Sequence, residues 1–199
     1  MKEFNITARD GKAAVTTPYN PDFVRRVKAL GGKWDSSSRT WQVREEAVEG
    51  VRAAMQAVYG RTDAEPAATV TVVVKTKWAL SALCGPFCLF GKVIARAYGR
   101  DSGAKVGDDV AFLAGQPTSS GSAKNWTTLI PGDAVIEIYG VAEDFARREI
   151  ARLNAAGEDM GYTAEIKGEA HIDREALQAE RERLLARLAE IDKILGGGE

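Results

Sequence analysis

The stretch from Tyr19 to Val43, YNPDFVRRVKALGGKWDSSSRTWQV, constrains the fold more than any other. Asn20-Pro21-Asp22 starts a helix. Asn20 is a good N-cap, and proline at the first helical position loses nothing, because its N–H would have no helical partner anyway. Phe23, Val24, Val27 and Leu30 recur at helical spacing and give that helix one apolar face. Arg25, Arg26 and Lys28 fall largely off it. Gly31-Gly32 ends the helix, since glycine enters the left-handed region at little cost. Lys33-Trp34-Asp35 and Thr40-Trp41-Gln42-Val43 then form a hairpin, turned by Ser36-Ser37-Ser38-Arg39.

The flanking sequence fits around this unit. Phe4 to Ala8 alternates, Asp10-Gly11 is a hairpin turn dipeptide, and Ala13 to Thr17 returns. Ala47, Val48, Val51, Ala54, Met55 and Val58 make a helical stripe ended by Gly60. The expected order is ββαββα, in an α+β unit spanning residues 1–60. Four short strands need a buried aromatic, so Trp34 is expected to be the core anchor, its loss harming folding more than binding.

Charge points to a partner. The whole chain carries a formal net charge of −1. Residues 1–44 nevertheless hold nine Lys/Arg against four Asp/Glu, or +5, while residues 146–199 hold nine against twelve, or −3. Five cations (Arg25, Arg26, Lys28, Lys33, Arg39) lie within fifteen residues, interleaved with Trp34 and Trp41. Lysine and arginine neutralise phosphates and release counterions. Exposed aromatic rings stack on bases. Each tryptophan therefore has two readings, base platform or core anchor.

The run ALGGKWDSSSRTWQV, preceded by TTPYNPDFVRRVK, resembles the HARP domain that accompanies Swi/Snf-related annealing helicases. It is also similar to a short domain of plasmid and phage mobilisation proteins and primases. Lys28, Leu30, Gly31, Lys33, Trp34, Asp35, Trp41 and Val43 stand at the shared positions; Gln42 stands where the mobile-element version usually has an aromatic residue. The resemblance covers the N-terminal unit, residues 1–60, and does not extend past it. It implies recognition of single-stranded or branched DNA and brings no catalytic residues.

Arg61 to Thr69 lacks periodicity and contains Pro66, so residues 61–69 read as a linker. Residues 70–170 read as a mostly-β domain. Strands are expected at Val70 to Val74, Lys92 to Tyr98, Asp109 to Leu113, Trp126 to Ile130, Ala134 to Tyr139 and Tyr162 to Ile166. A helix is expected from Val141 to Asn154, and a small barrel or curved sheet capped by it fits the pattern. Residues 171–199 read as an amphipathic helix. Leu177, Leu184, Leu188, Ile191 and Leu195 fall on a coiled-coil-like seam that either joins a homodimer or packs back on its own chain.

Catalytic constellations are not legible. His171 is the only histidine and lies in a polar connection. Asp101, Asp108 and Asp109 lack the supporting pattern of a nuclease metal site. Two cysteines, Cys84 and Cys88, make no disulfide framework and are expected as small buried hydrophobes. No metal or cofactor is expected. Two loops are candidates for a second phosphate contact or for plain hairpin connections: Tyr98 to Asp109, with Arg100 and Lys105, and Ser119 to Trp126, with Lys124 and Trp126. The N-terminus lacks an apolar leader core and no apolar run spans a bilayer, so a cytoplasmic protein without membrane contact is expected. The functional expectation is a non-catalytic DNA-binding accessory protein of a plasmid or phage. The alternative is an anti-CRISPR-like inhibitor or adaptor that docks on a host nuclease or another DNA-processing protein.

Overall fold

A computed structural model describes residues 4–64, 68–156, 160–168, 181–185 and 187–188. It is mixed α and β, with small antiparallel sheets. The chain opens with strands β1 (Asn5–Arg9) and β2 (Lys12–Thr16). Asp10 and Gly11 join them, both at positive φ (53° and 74°), as the right-handed twist of a two-residue hairpin requires. Helix α1 (Pro21–Ala29) follows, and the Asn20 side-chain oxygen accepts from the N–H groups of Asp22 and Phe23 at 2.8 and 3.3 Å. Strands β3 (Lys33–Asp35) and β4 (Thr40–Arg44) come next, then a 3-10 turn at Glu45–Ala47 and helix α2 (Val48–Tyr59).

These four strands form one antiparallel sheet in the order β1-β2-β4-β3. Strand alternation puts Ala13, Val15, Trp41 and Val43 on its inner face. There they meet Phe23 and Val27 of α1 and Val51, Ala54, Met55 and Val58 of α2. Tyr59 closes this first core. Its ring packs on Phe4 and Phe23, at centroid distances of 5.1 and 5.5 Å, and its hydroxyl donates to Pro18 O at 2.7 Å.

Strand β5 (Thr69–Thr76) is central to a second sheet, ordered β10-β13-β5-β14. Its partners are β10 (Val110–Ala114), β13 (Val135–Ala142) and β14 (Tyr162–Ile166). Helix α3 (Glu143–Ala156) lies against it and buries Phe145, Ala146 and Leu153. A three-stranded sheet sets β12 (Trp126–Ile130) between β11 (Thr118–Gly121) and β6 (Leu80–Leu83). Another sets β8 (Lys92–Ala97) between β7 (Pro86–Leu89) and β9 (Ala104–Val106). Buried Thr128 fastens these last two together: its hydroxyl donates to Gly85 O at 2.6 Å and accepts from Ala97 N at 2.9 Å. Val72, Val74, Ile94, Ile130, Ile136, Ile138 and Phe145 are among the residues that fill the second core.

The strands after residue 69 divide among three sheets instead of forming one small barrel or curved sheet. Bulges between Phe87 and Cys88, Phe112 and Ala114, and Ile138 and Val141 interrupt the ladders. The two cores flank the 61–69 stretch yet belong to one compact unit, residues 1–167. Asn20 Nδ2 donates to Gly91 O at 3.2 Å, and Asp63 takes a two-pronged bond from Arg52, both prongs at 3.1 Å. The second unit starts at Gly168. Its described residues, 181–185 and 187–188, are helical, with Leu184 and Leu188 exposed. Leu177, Ile191 and Leu195 lie outside the described residues, as does His171. No helix among the described residues is long and apolar enough to cross a membrane.

Candidate nucleic-acid interface

The β3–β4 hairpin is braced from its turn. Asp35 accepts hydrogen bonds from the Ser37 and Ser38 hydroxyls at 2.7 and 2.6 Å and from Ser37 N at 3.0 Å. Those bonds, led by Ser38, hold its carboxyl down at about pKa 2 although the group faces solvent. Folding therefore makes Asp35 a stronger acid. Its contribution to stability is full above its ordinary value of 3.8 and is lost as pH falls towards 2. The difference in urea stability between the native chain and Asp35→Asn is expected to be constant from pH 7 to about 4, then to close as Asp35 protonates. A difference that persisted unchanged at pH 2 would show that the carboxylate does not brace the turn.

The two tryptophans have opposite roles, and Trp34 is not the core anchor that sequence alone suggests. They are direct cross-strand partners, with ring centroids 5.4 Å apart in an edge-on arrangement. Trp41 is 7% exposed and Trp34 51% exposed. The reason is strand order. Strand β4 is interior and has sheet on both sides, whereas β3 is an edge strand whose far side is open.

The expected cations do not share one face. Lys33, on β3, points to the sheet's outer side, opposite Trp34. Arg39 stands exposed in the turn at φ 54°. Lys28 is exposed near the end of α1, the helix that leads into β3. These three flank the exposed Trp34 edge in sequence, and none has a carboxylate ion-pair partner among the described residues. Arg25 is drawn into an ion pair with Asp22 at 2.7 Å. Arg26 lines a cavity of about 380 Å³ together with Asn20, Cys88, Phe145, Arg152 and Tyr162. Arg26 is thereby turned to the cavity, while Arg25 stays exposed and its surface pair is weak.

The structure adds cations that local sequence does not reveal. Register places Arg9, Lys12 and Arg44 in one row across β1, β2 and β4, on the uncovered outer face. The next row holds Thr7, Ala14, Gln42 and Lys33. Arg9 and Arg44 pair with neighbouring Asp10 and Glu46 at 3.4 and 3.6 Å. All four side chains are highly exposed, so these pairs are weak enough to exchange for phosphate. The signal was the polar half of each alternation, Lys12-Ala14-Thr16 and Thr40-Gln42-Arg44.

The second expected contact is organised as hairpin connections. Ser102 Oγ accepts from the N–H groups of Tyr98 and Gly99, and Ser119 Oγ accepts from Gly103 N, so these donors are spent inside the loop. Arg100 pairs with Asp101 at 2.8 Å, which raises the arginine's pKa and lowers the aspartate's. Lys105 is exposed on β9, Lys124 is exposed in the β11–β12 turn, and Trp126 is half-buried.

Asp109 pairs with Lys92 at 3.0 Å. Among the described residues no three His, Cys, Asp or Glu side chains gather as metal ligands. Cys88 is largely buried, and burial pushes its thiol up to about 12. Cys84 is exposed, contrary to the expectation of a buried hydrophobe, because it sits at φ 49° in the tight β6–β7 turn. No family model, curated protein or solved structure matches this chain.

Proposed function

We propose that the chain is a non-catalytic DNA-binding accessory protein that holds single-stranded or branched DNA at the open edge of the β3–β4 hairpin. The observation that carries the reading is the half-exposed Trp34 ring, supported edge-on by buried Trp41 on an open edge strand. Lys28, Lys33 and Arg39 lie close to it in the chain, Lys33 on the other face of the same strand, and all three are exposed without a carboxylate partner among the described residues. A ring held this way offers a base a rigid stacking surface, and unpaired cations bind phosphates without first breaking ion pairs. The resemblance of the N-terminal unit to the HARP domain and to the domain of mobile-element proteins supports the same ligand and a plasmid or phage setting.

The test is a fluorescence-polarisation titration with single-stranded, forked and duplex DNA at 50 and 200 mM salt. Three phosphate contacts to a single strand should weaken binding on the order of 20-fold across that range. Lys33→Glu combined with Arg39→Glu should reduce affinity and flatten the salt slope. Absence of binding to every form would reject the reading and favour the adaptor alternative, with a host nuclease or other DNA-processing protein as the partner to seek.

A further inference from the structure

A second cluster of rings and cations stands outside the hairpin, where the segment before α1 meets strand β8. Arg96 sits between two tyrosines, its guanidinium carbon 5.3 Å from the Tyr19 ring centroid and 4.9 Å from that of Tyr98. Arginine stacks on aromatic faces in this way because its charge is delocalised over a weakly hydrated plane. The rings keep much of their surface in solvent: Tyr19 is 48% exposed and Tyr98 61%. Lys105 lies directly across from Arg96 in the β8–β9 ladder and is exposed. No carboxylate pairs with Arg96 among the described residues, and its buried Nε has no hydrogen-bond partner there.

Both rings stand on fixed backbone. Tyr19 lies between Pro18, whose carbonyl accepts the Tyr59 hydroxyl, and the buried cap residue Asn20. The N–H of Tyr98 donates to Ser102 Oγ at 2.9 Å. Little order remains to be lost when a planar ligand settles on rings held this firmly.

We propose that Tyr19 and Tyr98, joined by Arg96 and flanked by Lys105, form a second contact for single-stranded nucleic acid, bases stacking on the tyrosines and phosphates meeting the two cations. The inference rests on the nucleic-acid reading of this protein and extends it to a site built by both halves of the compact unit. Single strands fit because their base faces are free, whereas a duplex hides them within its own stack. The charge agrees: two cations and no paired carboxylate suit a polyanion.

The experiment measures the full chain against fluorescein-labelled dT20 and an abasic oligomer of the same length. Tyr19→Ala and Tyr98→Ala should each weaken dT20 binding by about 5- to 150-fold and leave abasic binding unchanged. Tyr98→Phe should keep the native dT20 affinity. Lys105→Glu, at an exposed position, should weaken both ligands. A thermal melt of each variant confirms that it folds. If the native chain binds dT20 and the folded alanine variants bind it equally well, this site is overturned while the hairpin reading stands. If the native chain binds neither oligomer, this site is overturned, and the forked-DNA titration decides the hairpin reading separately.

Discussion

Trp41→Ala is expected to destabilise the protein by about 3–5 kcal/mol, and Trp34→Ala by only about 1 kcal/mol. Trp41 is buried among Val15, Val43 and the helix side chains of the first core, so truncating it leaves a cavity that the rigid sheet cannot close. Trp34 packs one edge on Trp41 and turns much of its ring to water. For a unit of this size the Trp41 variant should melt roughly 6–20 °C lower. The two variants should separate in the opposite sense on DNA. Folded Trp34→Ala should lose about 5- to 150-fold in affinity for a single strand, the worth of one stacked base. Equal losses of stability in the two variants would contradict the burial assignment. A stable Trp34→Ala with native DNA affinity would remove the tryptophan from the interface.

The tryptophan roles show what a sequence can and cannot express. That Trp34 and Trp41 share a hairpin follows from local spacing. Which of them is buried depends on β4 pairing with β2, a strand that lies on the far side of α1 in the chain. A subtler signal was present: Trp41 has Val43 as an apolar companion on its face, while Trp34 stands between Lys33 and Asp35 with none. A sheet this small does bury an aromatic ring, and the structure assigns that place to the other tryptophan.

Elements with their own chemistry were legible. Asn20-Pro21 began α1, Asp10-Gly11 turned the first hairpin, and the α2 stripe ended at Gly60. The strands β6, β7, β9 and β11 were not, because they are three or four residues long and lack a two-residue period. Thr-Ser-Ser-Gly of β11 reads as a loop until its ladder to β12 is known. Pro86 opens β7, an edge strand, where the missing N–H is tolerated. The candidate site divides the same way. The cations near the hairpin were visible, but Arg9-Lys12-Arg44 forms a row only through strand register. Tyr19 and Arg96 come from opposite sides of the 61–69 stretch and meet only through tertiary packing, which no local pattern encodes.

Gly60→Ala is expected to be strongly damaging, because this glycine meets two demands at once. It ends α2 at φ 69°, its N–H donating to Gln56 O at 3.0 Å, and a left-handed alanine there costs about 1–2 kcal/mol. An added Cβ would also stand 2.6 Å from Phe145 Cγ and 3.1 Å from Cδ2, too close for carbon atoms. Phe145 is buried in the second core, so it cannot swing away without disturbing Val141 and Ala146 around it. Overpacking of this kind adds about 1–3 kcal/mol. Gly11→Ala isolates the first effect: Gly11 has φ 74°, and a Cβ there meets nothing within 4 Å. Urea unfolding should therefore show Gly60→Ala losing clearly more stability than Gly11→Ala, the excess measuring the fit between the end of α2 and the start of α3. Equal losses would mean that the two cores are joined loosely at this point. A site built from Tyr19 on one side and Arg96 on the other would then lack the rigid frame it needs.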